Sequence, residues 1–298
     1  MIVRRSPLRN PDGDVALWRL LAFEAKNEVK RRIARRGTPV DEPDRPYLVV
    51  PILGQSNAFG MGLGIDLEGL DRPHPRVHQY AMSGPDKGTV ILGVDPLMHE
   101  IPGFGVGFGT VFARHLAEAT GRHVLLVPGA RGDTSFAPKN GYTWDPADTT
   151  TRVNLYQNGA AAIDAVLTRY PGSEVATILW HQGESDVPLT SGGVYREKLD
   201  SVIDDLRERY GAGVPFVLGQ MVPDEMELSR KDYSVIDAIH ADTPNRRERV
   251  AFIPGERGCI NGANDRHYNA AGQRAMGHAM WATYAEMCRD ELAEYAGE

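Results

Sequence analysis

The chain has 298 residues, enough for one large domain with a sizeable core or two smaller ones. Its net charge of −7 argues against a dedicated nucleic-acid binder, and two cysteines, Cys259 and Cys288, cannot build a disulfide framework. No Cys/His cluster has zinc spacing and no phosphate-loop motif occurs, so neither a metal nor a cofactor is indicated.

The first 46 residues stand apart. They carry 11 of the 33 Lys/Arg but only 7 of the 40 Asp/Glu. Leu17, Leu21, Ala25, Val29 and Ile33 recur every four residues, which predicts a helix with one apolar stripe. Lys26, Lys30, Arg31, Arg32, Arg35 and Arg36 crowd its second half. The pattern suits a helix docked on the body with basic residues near its C-terminus. Contact with a membrane surface or another protein is the alternative. Gly37, Pro39, Pro43 and Pro46 mark a linker, giving a basic helical extension over 1–46 and a main domain over 47–298. No signal-peptide pattern or membrane-length apolar window is present, so a cytoplasmic setting is the default expectation, with non-classical export left open.

From residue 47 strands and helices alternate. Apolar strand-like runs occupy 47–53, 123–128, 175–180, 215–221 and 249–253. Helical stretches lie near 107–120, 154–169, 193–210 and 231–243, with a last one from about 269. This alternation predicts an α/β domain whose parallel sheet is covered on both faces. Residues 54–106 show no clear helix and many Gly and Pro, which reads as long loops around a site mouth.

Ligands in such sheets bind beyond the carboxyl ends of the strands. Polar, glycine-containing clusters fall at those ends: Gly54-Gln55-Ser56-Asn57, Pro128 to Ser135, His181 to Asp186, and Asn264 to Tyr268. An acyl-transfer site needs a nucleophile, a base, an orienting acid and oxyanion donors, and these clusters can supply each.

These blocks resemble the SGNH/GDSL hydrolase superfamily, in particular the branch of sialate O-acetylesterases and family 6 carbohydrate esterases (acetylxylan esterase-like). Gly54–Asn57 resembles the first block, and Gly105 to Ala117 the glycine turn and helix that follow. Pro128–Phe136 resembles the second, with Arg131-Gly132-Asp133 where the branch often reads Gly-Gly. Trp180–Asp186 resembles the third and is the most diagnostic; Asp265–Gln273 resembles the last. The resemblance covers about residues 47–285 in the right order, leaving the N-terminal segment outside it. It implies a three-layer α/β/α sandwich on a mostly parallel, flavodoxin-like five-stranded sheet, with 47–298 as the catalytic domain.

On this resemblance Ser56 is the nucleophile, activated by His267 as base. The family places an aspartate three residues before the histidine, where this chain has Asn264; Asp265 stands two before. Three readings follow: Asp265 orients His267, Glu184 does so instead, or a Ser-His dyad operates. The resemblance assigns the oxyanion donors to the backbone N–H groups of Ser56 and Gly132 and the side chain of Gln182. Such donors contribute about 3–4 kcal/mol apiece. Gln55, Asn57 and Trp144 are candidate substrate contacts, with Tyr142 and Phe59 as further aromatic candidates. The implied activity is hydrolysis of short-chain, acetyl esters on a small or polymeric carbohydrate. The alternatives are a lipase or thioesterase of the same fold, or a carbohydrate-binding relative without turnover.

Overall fold

In the computed structural model, which describes residues 17–34, 36–262 and 265–297, helix α1 (Leu17–Ile33) precedes strand β1 (Leu48–Gly54). A single helical turn, α2 (Ser56–Phe59), follows, then strands β2 (Val77–Tyr80) and β3 (Val90–Leu92), helix α3 (Phe108–Thr120) and β4 (Val124–Pro128). The short pair β5 (Tyr142–Thr143) and β6 (Val153–Asn154) leads into α4 (Leu155–Arg169). Then come β7 (Glu174–Val175), β8 (Ile178–His181), α5 (Gly192–Tyr210) and β9 (Phe216–Gly219). The chain closes with α6 (Pro223–Leu228), α7 (Ser234–Arg246), β10 (Val250–Ile253), α8 (Ala270–Met287) and α9 (Arg289–Gly297).

The main sheet runs β10-β9-β8-β1-β4-β2-β3. The five runs read from the sequence form its parallel centre in flavodoxin-like order, and the run at 175–180 divides into β7 and β8, both beside β1. The expectation of five strands is too low, because β2 adds in parallel to β4 and β3 pairs antiparallel to β2. Both fall in the segment expected to be loops. They are four and three residues long, and β2 carries buried polar side chains in place of an apolar run. His78 Nδ1 meets Tyr47 Oη at 2.7 Å, and Gln79 Oε1 accepts from Met98 N at 2.8 Å. Tertiary partners make those side chains strand-compatible.

Alternate residues of β1 face opposite layers, as the pleat requires. Leu48, Val50 and Ile52 pack with Phe112 and Leu116 of α3 and Met276 and Met280 of α8. Val49 and Leu53 pack with Ile163 of α4, Leu199 and Ile203 of α5 and Ile239 of α7. Each such fully buried aliphatic side chain contributes about 1.5–3 kcal/mol. Two apolar layers therefore fix the sheet, and its carboxyl edge is where β1, β4 and β8 deliver their loops.

At Ala25 and Val29, the described positions of its apolar stripe, helix α1 faces solvent instead of the body. Val29 is 57% exposed, while Asn27 is buried. Arg31 Nε donates to the Glu100 carbonyl at 3.2 Å, and beyond the helix Gly37 N donates to Asp86 Oδ2 at 2.7 Å. The body offers polar acceptors there, and they select polar side chains. The side chains of Leu17, Leu21 and Ile33, and all of Arg35, lie outside the described residues. No helix among the described residues is long and apolar enough to cross a membrane.

Candidate active site

Strand β1 ends where only glycine fits. Gly54 has φ +125°, and a Cβ there would lie 2.1 Å from the His181 carbonyl oxygen. That carbonyl accepts from Gln55 N at 2.8 Å, so the chain turns tightly beside β8 and enters α2 with Ser56 as its first residue. At a helix start the N–H has no intrahelical acceptor. Ser56 N has no partner among the described residues. Its hydroxyl likewise makes no hydrogen bond to a described residue, which leaves it available to a ligand.

His267 sits in the loop between β10 and α8. Its Nδ1 is 2.7 Å from Asp265 Oδ1, which also accepts from the His267 backbone N–H at 3.1 Å. A carboxylate only accepts, so Nδ1 carries the proton and Nε2 is left as the basic nitrogen. The loop is pinned on both sides. Asn269 caps α8 by accepting from Gly272 N at 2.9 Å, and Ile260 bridges to Tyr268. Asn264, where the resemblance would place the acid, lies outside the described residues.

Gly132 approaches the same serine from the loop after β4. A Cβ at 132 would lie 3.6 Å from Ser56 Cβ, and Gly132 N has no partner among the described residues. The turn is set by Arg131 N donating to the Gly54 carbonyl at 3.0 Å and by Asp133 at φ +60°. That left-handed conformation is one that Asp tolerates better than most residues. Lys139 and Asn140 grip the Asp133 carboxylate.

Three of the sequence-derived candidates, Gln182, Asn57 and Trp144, do not line the cavity, and a fourth, Glu184, lines it without a hydrogen bond to His267. Gln182, expected as an oxyanion donor, is 0% exposed and does not line the cavity. Its Nε2 donates to Asp186 and its Oε1 accepts from Tyr195 Oη at 2.9 Å, so both ends of the amide are committed below the site. Asn57 is fully buried and ties the site together: Nδ2 donates to Glu184 Oε1 at 3.0 Å, and Oδ1 accepts from Tyr268 N at 3.1 Å. Trp144 is 0% exposed, donates to Thr134 Oγ1 at 2.9 Å and packs edge-on against Trp180, so it cannot meet a sugar. Glu184 lines the cavity but makes no hydrogen bond to His267 among the described residues. It holds Asn57, with His181 Nδ1 at 3.7 Å, and its Oε2 has no partner there. Each of these side chains found a buried partner, and the sequence carries no trace of that pairing.

Gln55 does line the cavity, with Oε1 held by the N–H groups of Gly183 and Ser185, both at 3.4 Å. Phe59 lines it too, but Tyr142 lies against the Arg131 guanidinium, 4.8 Å from ring centroid to Cζ. His181, fully buried, has its Nε2 2.7 Å from the Gln220 carbonyl oxygen, beneath the loop.

Ser56, Gly132 and His267 share one cavity of about 480 Å³. Five cations line it (Lys30, Arg131, Lys139, Lys231 and Arg266) against two carboxylates, Asp133 and Glu184. Burial, and then the charge of Arg266, holds the Lys231 ammonium below its ordinary value. In an acidic protein this is a local excess of positive charge, which attracts anions. Sequence reasoning missed Asn27, Phe104, Lys231 and Arg266 as site residues; only the basic crowding around Lys30 gave a signal. No group of three or more potential metal ligands exists among the described residues.

Residues 47–286 match the family model described as carbohydrate esterase, sialic acid-specific acetylesterase. No curated protein matches the sequence significantly. Among solved structures, the fold is similar to the crystal structure of NanS, with a TM-score of 0.69 at 18% identity over 84% of this chain and 100% of that one. A protein of Arabidopsis thaliana aligns with TM-score 0.64 and 19% identity over 81% and 98%. XAC1771, described as a novel carbohydrate acetylesterase from Xanthomonas citri, aligns with TM-score 0.57 and 17% identity over 81% of this chain and 57% of its own. At these identities the likeness to solved structures is one of fold.

Proposed function

This chain belongs to the carbohydrate esterase, sialic acid-specific acetylesterase family, and we propose that Ser56 is the nucleophile with which it cleaves acetyl esters of acidic sugars. Membership makes it a hydrolase of carbohydrate ester bonds; the residue roles and the acidic substrate are our reading. The observation that carries it is the convergence of Ser56, Gly132 and His267 on one cavity, with His267 Nδ1 hydrogen-bonded to Asp265.

Ser56 Oγ attacks the acetyl carbonyl carbon while His267 Nε2 takes its proton. The carbonyl oxygen becomes an oxyanion facing the N–H groups of Ser56 and Gly132, fixed donors that stabilise charge as it develops. Asp265 keeps the imidazole in the right tautomer and stabilises the imidazolium. Collapse breaks the bond to the sugar oxygen, which leaves with the proton from His267. Water, deprotonated by His267, then attacks the acetyl-serine, releasing acetate and restoring Ser56.

The excess of cations around the cavity supports an anionic substrate, and the sialic acid in the family description is such a sugar. The test is labelling by an organophosphonate together with acetate release from O-acetylated sialic acid. Wild-type protein should be labelled and active, and Ser56→Ala should lose labelling and about a millionfold in kcat. Folded wild-type protein that is neither labelled nor active would sink this reading.

A further inference from the structure

The family match begins at residue 47, yet α1 forms part of the wall of the cavity that holds Ser56. It does so with Asn27 and Lys30, three residues apart and so on one face of the helix. Asn27 is only 2% exposed, and its Nδ2 has no hydrogen-bond partner among the described residues. Buried donors in native proteins are nearly always paired, so an open one at a cavity wall marks a place for a ligand acceptor. Lys30 Nζ lies 4.3 Å from the centre of the Phe104 ring, and Phe104 is 51% exposed at the cavity. No carboxylate among the described residues pairs with Lys30. Burial, then repulsion from Lys26 and Arg131, holds its ammonium below the ordinary lysine value.

A helix present only for packing would bury its apolar stripe. Here Ala25 and Val29 face solvent, while Asn27 is buried and Lys30 half-buried at the cavity. The wall is also anchored without a ligand, through Arg31 to the Glu100 carbonyl and, just past the helix, through Gly37 to Asp86.

We propose that α1 is a specificity wall of the site: Lys30 Nζ receives the carboxylate of the acidic sugar and Asn27 Nδ2 donates to another oxygen of the same sugar. The assignment rests on the esterase reading of Ser56 and goes beyond it by placing substrate selection in residues outside the matched region.

The test measures binding, apart from turnover. Calorimetry of O-acetylated sialic acid and of its carboxylate methyl ester is run on full-length Ser56→Ala protein, with and without Lys30→Ala, Lys30→Arg or Asn27→Ala. Lys30→Ala should weaken binding of the acid about tenfold and shrink the preference for acid over methyl ester by a similar factor. Lys30→Arg should restore most of it. Asn27→Ala should weaken both ligands, because its donor is neutral. Matching melting temperatures establish that α1 remains docked. No binding to the parent, or equal affinity and equal preference with and without Lys30, overturns the proposal. Lys30-dependent binding by a wild-type protein that releases no acetate overturns the esterase reading instead.

Discussion

The two sides of the site are held by different means. On the floor, at the ends of β1 and β8, the side chains are held by a network that joins neighbours on one loop to partners far away in sequence. Asp186 accepts from the N–H groups of Phe136 and Ala137, from Thr190 Oγ1 and from Gln182, and Tyr195 joins Gln182 to His240. Asp186, Gln182, Tyr195 and His240 are buried, and Thr190 is half-buried. On the other side, His267 and Asp265, the proposed base and its carboxylate, are two residues apart in one partly exposed loop. Asn57 joins the two, bonded to Glu184 of the floor and to the Tyr268 backbone of the loop. The contrast teaches that a histidine–carboxylate pair can be built locally within a few residues, while the surface that positions Ser56 needs the whole sheet.

Of the two carboxylates near His267, the larger effect should come from the loop. Asp265→Asn should lower kcat by about ten-thousandfold, because the imidazole loses the carboxylate that sets its tautomer and stabilises its charge. Glu184→Gln keeps the size and the Asn57 contact and should cost far less. Steady-state kinetics on both variants would break the comparison if Glu184→Gln were the more damaging.

Stability should show the reverse order. Asp186→Asn puts a donor where backbone N–H groups already point, and it should cost about 3 kcal/mol in chemical denaturation. Asp265→Asn, whose carboxylate is about a third exposed, should change stability by less than about 1 kcal/mol. Equal destabilisation by the two would show that the loop is as deeply integrated as the floor.

The most gradual effect, spread over several pH units, concerns His240. Burial pushes its pKa down to about 3 from an ordinary 6.5, so it stays neutral in the folded protein and protonates in the unfolded chain. Between those values the unfolded state binds more protons, so stability falls as pH falls from 6.5 towards 3. The slope is about 1.4 kcal/mol per pH unit from this residue. Denaturation of wild type and His240→Gln at pH 7, 6, 5 and 4 should give a shallower acid slope in the variant. Parallel slopes would mean that His240 is not buried as described.

Much of this was legible before any coordinates. The alternation of apolar runs and helical stretches, the glycine that ends the first apolar run, and Asp265 two residues before His267 are local patterns, and local patterns survive in sequence. The resemblance of the four strand-end blocks added the roles expected of Ser56, Gly132 and His267. Beyond reach were Gln182, Asn57 and Trp144, expected to meet substrate and found bonded inward to Asp186, Tyr268 and Thr134. So was the placement of Ala25 and Val29 of α1, which the apolar stripe would bury and which face solvent. A sequence fixes which side chains lie near a strand end and with what period. Which way each one points is decided by the competition among buried donors and acceptors once the layers have closed, and only the tertiary structure records the outcome.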